Sequence, residues 1–160
     1  MDMEKKIKVV PNVEMFPDVT RLLEEGKRVT IPCKGLSMLP VIRGCRDHVV
    51  LERKDGYAVG DIVLFSIGEK YILHRIIAVE GDKVTTRGDG NYRGTETFSA
   101  GDIHGKAVEI LRGGRRKRNP DSIGAKLFLK VWDSLLPVRR WILAIYRRLP
   151  WNRWIRNVNL

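Results

Sequence analysis

The sequence predicts a mainly β protein: a partly closed antiparallel sheet, preceded by a short helix and followed by an amphipathic helical tail. Three observations carry this. Between residues 27 and 111 short apolar runs recur, each bounded by glycine or charge, with no helical period between them. Apolar steps of three and four occur only towards the two ends. The composition also changes abruptly: residues 1–111 hold equal numbers of Lys+Arg and Asp+Glu, so the whole net charge of +11 lies in residues 112–160. At 160 residues the chain is long enough to bury a real core.

Taken in order, residues 1–26 form an amino-terminal segment. Its first residues have charge but no apolar run, so neither a signal peptide nor a membrane anchor is expected there. Pro17 reads as the start of a short helix over 17–25, with Val19, Leu22 and Leu23 on one face and Gly26 as its stop. The β-rich domain spans 27–111. Strands are expected at Val29–Pro32, Asp47–Glu52, Asp61–Ser66, Tyr71–Val79 and Gly105–Leu111. Lys83–Arg87 pairs back through the Glu80-Gly81-Asp82 turn as a hairpin. Residues 112–120 read as a basic, breaker-rich linker, and 121–160 as the tail.

The most informative stretch is Cys33-Lys34-Gly35-Leu36-Ser37-Met38-Leu39-Pro40. Its glycine and proline set a sharp turn that holds one hydroxyl, that of Ser37, proud of the sheet. Cys33 and Cys45 bracket the turn; without a secretory signal they are expected as reduced thiols that pack as small apolar groups. The three histidines and two cysteines show no metal-ligand spacing, and neither metal nor cofactor is expected.

Gly35-Leu36-Ser37-Met38-Leu39-Pro40 resembles the nucleophile box of the superfamily that contains type I signal peptidases and LexA-like autoproteases. Three further stretches fit that superfamily in order. Gly60–Phe65 looks like its middle strand, Tyr71–Ile77 like the strand that carries the general base, and Thr86–Asn91 like the box that closes the site. The resemblance covers roughly residues 28–111 and implies the LexA/signal peptidase type of β fold. It also implies a serine endopeptidase. Ser37 matches the nucleophile, and His74 matches the base position, which holds a histidine in endoplasmic-reticulum and archaeal signal peptidases. A serine hydroxyl needs such a base within reach, and a neutral imidazole can accept its proton without the deep burial a lysine requires.

Two positions depart from that pattern. The histidine-type enzymes carry a second acidic pair about six residues beyond Asp89, where this chain has Gly94-Thr95-Glu96. Asp89, Glu96 or no acid at all are therefore the alternatives for orienting His74, and Asp89 is the expectation. Its competing role is that of a plain turn carboxylate. Gly35 stands where many signal peptidases place a Ser or Thr that helps the oxyanion hole, so stabilisation falls to backbone N–H groups, chiefly that of Ser37. Asp47 is expected to be structural, His48 and His104 to be ordinary strand or surface residues, Asn91 to help shape the site, and Arg75 either to do so or to be a solvated strand residue. A non-catalytic peptide-binding module that keeps the fold is the rival reading. LexA-like self-cleavage is disfavoured, because the only Ala-Gly bond, Ala100-Gly101, lies downstream of Ser37.

All four tryptophans lie in the tail, where Leu127, Val131, Leu135, Val138, Ile142, Ile145 and Leu149 mark one apolar stripe flanked by Lys and Arg. Pro137 is expected to kink or split this helix. Such a stripe either packs back on the domain or lies on an anionic membrane surface, which the concentrated tryptophan favours; it is too charged to span a membrane and is a poorer match to nucleic acid. A peptide or protein precursor is the expected substrate, and the cytoplasm, at the inner face of the membrane, the expected location.

Overall fold

The computed structural model describes residues 12–149, and for residues 12–14 the backbone alone. Residues 1–11 and the end of the tail, with Trp151 and Trp154, lie outside the described residues. Among the described residues the fold is mainly β, with one antiparallel sheet of eight strands, three α-helices and a short 3-10 helix at Ala100–Asp102. The strands are β1 (Val29–Pro32), β2 (His48–Glu52), β3 (Ile62–Ile67), β4 (Lys70–Glu80), β5 (Lys83–Arg87), β6 (Glu96–Ser99), β7 (Ile103–Arg112) and β8 (Arg116–Arg118). They run β1-β2-β7-β3-β4-β5-β6 across the sheet, with β8 also paired to β7. Register shifts at Val50/Leu51, Leu64/Phe65 and Ile76/Ala78 mark irregularities of the kind that bend a strand and increase its twist.

Strand β6 has no counterpart among the expected strands, and two further elements are longer or more ordered than expected. The first helix, α1, runs Asn12–Glu24, so Pro17 lies inside it rather than at its start. Its end is as expected: Gly26 takes a left-handed φ of 74°, and Gly26 and Lys27 donate to the carbonyls of Leu23 and Leu22 in a Schellman closure. The expected linker at 112–120 is partly strand. Gly113 and Gly114, both at positive φ, turn the chain so that β8 pairs with the end of β7, Ile110 opposite Arg118.

Residues of the Ser37 turn enter two different cores. Met38 and Ile42 pack with Val19 and Leu23 of α1 and with Ile31, Leu51 and Leu64 of the sheet. Leu36 and Leu39 turn the other way, against Trp132 and Leu143 of the tail. Each of these side chains is essentially buried, worth roughly 1.5–3 kcal/mol apiece relative to exposure. The turn is thus gripped from both sides, with half-buried Ser37 between its anchors. The Leu39–Pro40 peptide bond is cis. A third core, Val63, Phe65, Ile76, Val84 and Ile103, lies further along the sheet, with Phe65 stacked on Phe98 at 4.0 Å.

The tail forms two helices, α2 (Ile123–Ser134) and α3 (Arg139–Arg148), separated at Pro137. Ser122 caps α2 by accepting from the Ala125 N–H at 3.2 Å. The single stripe expected from the sequence is divided. Leu135 and Ile142 are partly buried on the domain, whereas Leu127, Val131, Val138 and Ile145 are exposed. The break at Pro137 prevents one continuous face, and the side chains that seat the helices, Trp132 and Leu143, lie off that stripe. No helix among the described residues is long and apolar enough to cross a membrane.

Candidate active site

Strand β4 places His74 and Arg75 in succession, so their side chains leave on opposite faces of the sheet. On one side, His74 Nδ1 lies 2.8 Å from Glu96 Oε2. Glu96 opens β6 directly opposite Thr86 of β5, and the Thr86 hydroxyl donates to the same carboxylate oxygen at 3.2 Å. A carboxylate at Nδ1 favours the tautomer with the proton on that nitrogen, and in the neutral imidazole Nε2 then keeps its lone pair.

On the other side, Arg75 grips Asp89 bidentately, at 2.8 Å from Nε and 2.7 Å from Nη2, and also donates to the Gly60 carbonyl at 2.6 Å. Both side chains of this pair are buried. Asp89, the expected orienting acid, therefore has both oxygens committed to Arg75, and Glu96 occupies the position on His74. The reason is the alternation of β4: the residue next to His74 is a buried cation that requires its own carboxylate.

Gly88 and Gly90 bring the two halves of the site together. Gly90 N–H donates to the Ser37 carbonyl at 2.7 Å, and Asn91 N–H closes the loop on Gly88 at 2.9 Å. A methyl group on Gly88 would overlap the Ser37 carbonyl oxygen and come within 3.0 Å of His74 Nε2. One on Gly90 would lie 2.7 Å from the Leu36 carbonyl oxygen. Only glycine permits this approach, so the segment carrying Asp89 lies backbone to backbone against the Ser37 turn, with Nε2 beside it. Among the described residues the Ser37 hydroxyl and His74 Nε2 make no hydrogen bond to each other. Such contacts commonly tighten only when substrate is bound.

The base of the turn is closed by a separate set of hydrogen bonds. Cys33 N–H donates to the Asp47 carbonyl at 3.0 Å and Cys45 N–H to the Cys33 carbonyl at 2.7 Å. The Asp47 carboxylate accepts from the N–H groups of Arg43 (2.8 Å) and Gly113 (3.1 Å) and from the Arg43 guanidinium (3.0 Å). Burial alone would raise its pKa; the bonds from Arg43 and Gly113 outweigh that and hold it below the usual carboxylate value. Both cysteines are free thiols; Cys33 is buried, but Cys45 is exposed and does not pack as an apolar group. Burial, with a smaller contribution from the Asp47 charge, pushes the buried Cys33 thiol up to about 12, so it is no nucleophile.

A cavity of about 180 Å³ opens beside Ser37, floored by Ile31, Met38, Leu64, Tyr71 and Leu73. A larger cavity, about 600 Å³, lies between the sheet and the tail helices, and none of Ser37, His74 and Glu96 lines it. No group of three or more His, Cys, Asp or Glu side chains converges to hold a metal among the described residues. His104 lies apart from the site, bonded to the Ser66 hydroxyl at 2.9 Å, and burial lowers its pKa.

The tail also reaches the site. Trp132 Nε1–H donates to the Asp89 carbonyl at 2.7 Å, and buried Arg139 donates to the carbonyls of Asn91 (3.2 Å) and Trp132 (2.8 Å). These contacts had no signal in the sequence beyond the presence of a tryptophan on an apolar helix. Comparison with models of known families finds no match, and comparison with curated proteins finds none either.

Proposed function

We propose that the protein is a serine endopeptidase resembling the histidine-type signal peptidases, with Ser37 as nucleophile, His74 as general base and Glu96 as the acid that orients it. The observation that carries this reading is the placement of His74: Nδ1 bonded to Glu96, and Nε2 beside Gly88, whose backbone abuts the Ser37 carbonyl. Nε2 takes the Ser37 proton as Oγ attacks the scissile carbonyl, and Glu96 stabilises the imidazolium. The same proton then passes to the leaving amine, giving an acyl-enzyme on Ser37 and a free amino terminus. Water, deprotonated by His74, releases the acyl fragment and restores the hydroxyl. The Ser37 N–H, placed at the same turn, stabilises the oxyanion. The bulged antiparallel sheet suits the LexA/signal peptidase type of fold. The small cavity, lined on one part by Ile31, Met38 and Leu64, suits a short side chain of an extended peptide laid along a sheet edge. The assigned place of action is the cytoplasmic side of a membrane.

One observation favours the rival, a peptide-binding module without catalysis: Ser37 and His74 are not hydrogen-bonded in the free protein. Labelling with a serine-directed fluorophosphonate decides between them. The peptidase reading requires an adduct on wild type that is absent from Ser37→Ala and His74→Ala, all three being folded by circular dichroism. A folded, unlabelled wild type identifies the binding module.

A further inference from the structure

The tail helices use one face to seat themselves on the sheet and leave a second apolar face uncovered. On α2, Ile123, Leu127 and Val131 follow at steps of four, and on α3 Trp141 and Ile145 follow in the same way; each is more than half exposed. Isolated exposed apolar side chains need no explanation, but a repeated helical row does. The row is set among exposed cations: Lys126 and Lys130 on α2, Arg140, Arg147 and Arg148 on α3, with Arg140 stacked over Trp141 at 4.7 Å. The opposite face is already occupied by contacts to Leu36, Leu39, Asp89 and Asn91, so the row is not waiting for this sheet.

We infer that α2 and α3 dock the protein on an anionic lipid surface, the exposed row entering the headgroup boundary and the cations pairing with lipid phosphates. Charge selects this occupant. Residues 150–160 contain Arg153 and Arg156 and no acid, so they are a poor complement to the same cations. A second copy would oppose one basic face with another. Nucleic acid would use the cations but leave Ile123, Leu127, Val131 and Ile145 without a role. An anionic bilayer satisfies both halves of the pattern. This inference does not depend on the peptidase reading.

The test is co-sedimentation of the full chain with vesicles of phosphatidylglycerol and phosphatidylcholine, with pure phosphatidylcholine vesicles and a short double-stranded RNA as parallel arms. Capture by the anionic vesicles alone, weakened by salt, is expected. The exposed-site variants Leu127→Asp/Val131→Asp and Arg140→Glu/Arg147→Glu should each weaken it roughly tenfold or more. Ile145→Asp, on the other helix, serves as a second apolar variant, and melting curves confirm that all are folded. No capture by anionic vesicles overturns the inference, as does capture undiminished in the folded variants. RNA capture without vesicle capture overturns it in favour of nucleic acid. None of these readouts involves Ser37 labelling, so this docking and the peptidase chemistry can fail separately.

Discussion

Glu96→Gln and Asp89→Asn make a paired experiment, because the two carboxylates hold different partners. Glu96 keeps the proton on His74 Nδ1 across 2.8 Å. A glutamine there removes the charge that stabilises the imidazolium, and its amide can donate to Nδ1, which moves the imidazole proton onto Nε2. A hydrogen bond to a charged group is worth about 1.5–3 kcal/mol, so the labelling rate of Ser37 should fall roughly 10- to 150-fold. The larger loss, about 10⁴-fold, seen when a buried triad acid is made an amide is not expected, because the Glu96 side chain is 24% exposed and water replaces part of its effect. Melting should be little changed. Asp89→Asn does the opposite. It leaves Arg75 as an uncompensated charge in a pair only 6% and 5% exposed, a loss on the order of 3–5 kcal/mol, or roughly 10 °C in melting temperature for a chain of this size. The assays are the pseudo-first-order rate of fluorophosphonate labelling, well below both transitions, and a thermal melt. If folded Asp89→Asn labels more slowly than Glu96→Gln, the assignment of roles to the two acids is wrong.

Other perturbations test the scaffold around these groups. Gly88→Ala places a methyl group into the Ser37 carbonyl and close to His74 Nε2, and should abolish labelling while destabilising by about 1–3 kcal/mol, read by melting. Asp47 sits below its ordinary value in the folded chain, so its stabilising contribution is present above pH 3.8, the ordinary value, and is lost as the pH falls through the depressed folded one. Asp47→Asn should therefore lower stability at neutral pH and flatten that acid limb in denaturant titrations below pH 4. Trp132→Phe keeps the ring packing but deprives the Asp89 carbonyl of its donor, about 1 kcal/mol, which a melt shifted down by roughly 2–4 °C would register.

What the sequence made legible was whatever is encoded locally. The Ser37 turn is written in Gly35 and Pro40, and His74 lies in a run that reads as a strand by composition alone. Glu96 was the opposite case. It acts through a four-residue strand whose identity rests on pairing, Thr86 opposite Glu96, and Thr97-Phe98 is too short a pattern to announce a strand. Asp89 sat in a more conspicuous motif, but no local pattern shows that Arg75, one residue from His74, would claim both its oxygens. The tail shows a different ambiguity. Residues 123, 127 and 131 and residues 125, 129 and 132 make two apolar rows on one helix, and periodicity ranks neither. A long-range bond, from Trp132 to the Asp89 carbonyl, accompanies the choice of row that turns inward.

The same bond bears on where the functional unit ends. The composition break at 112 invites a division into a catalytic domain and an appended tail, yet Leu36 and Leu39, on either side of the proposed nucleophile, have Trp132 and Leu143 as their buried partners. Removing residues 121–160 uncovers those two leucines at roughly 1.5–3 kcal/mol each. It also removes the donors to the carbonyls of Asp89 and Asn91 and one of the two carboxylates that hold Lys106, that of Asp121. Ser37, His74 and Glu96 all remain in such a fragment. If the tail were only an anchor, the fragment would label at the wild-type rate. The structure leads to the other expectation: a fragment ending at Pro120 binds a hydrophobic dye, melts lower and labels slowly, because the segment that backs Ser37 has lost its outer support. A fragment with full-rate labelling and an unchanged melt would show that the grip on the turn from the α1 side suffices by itself.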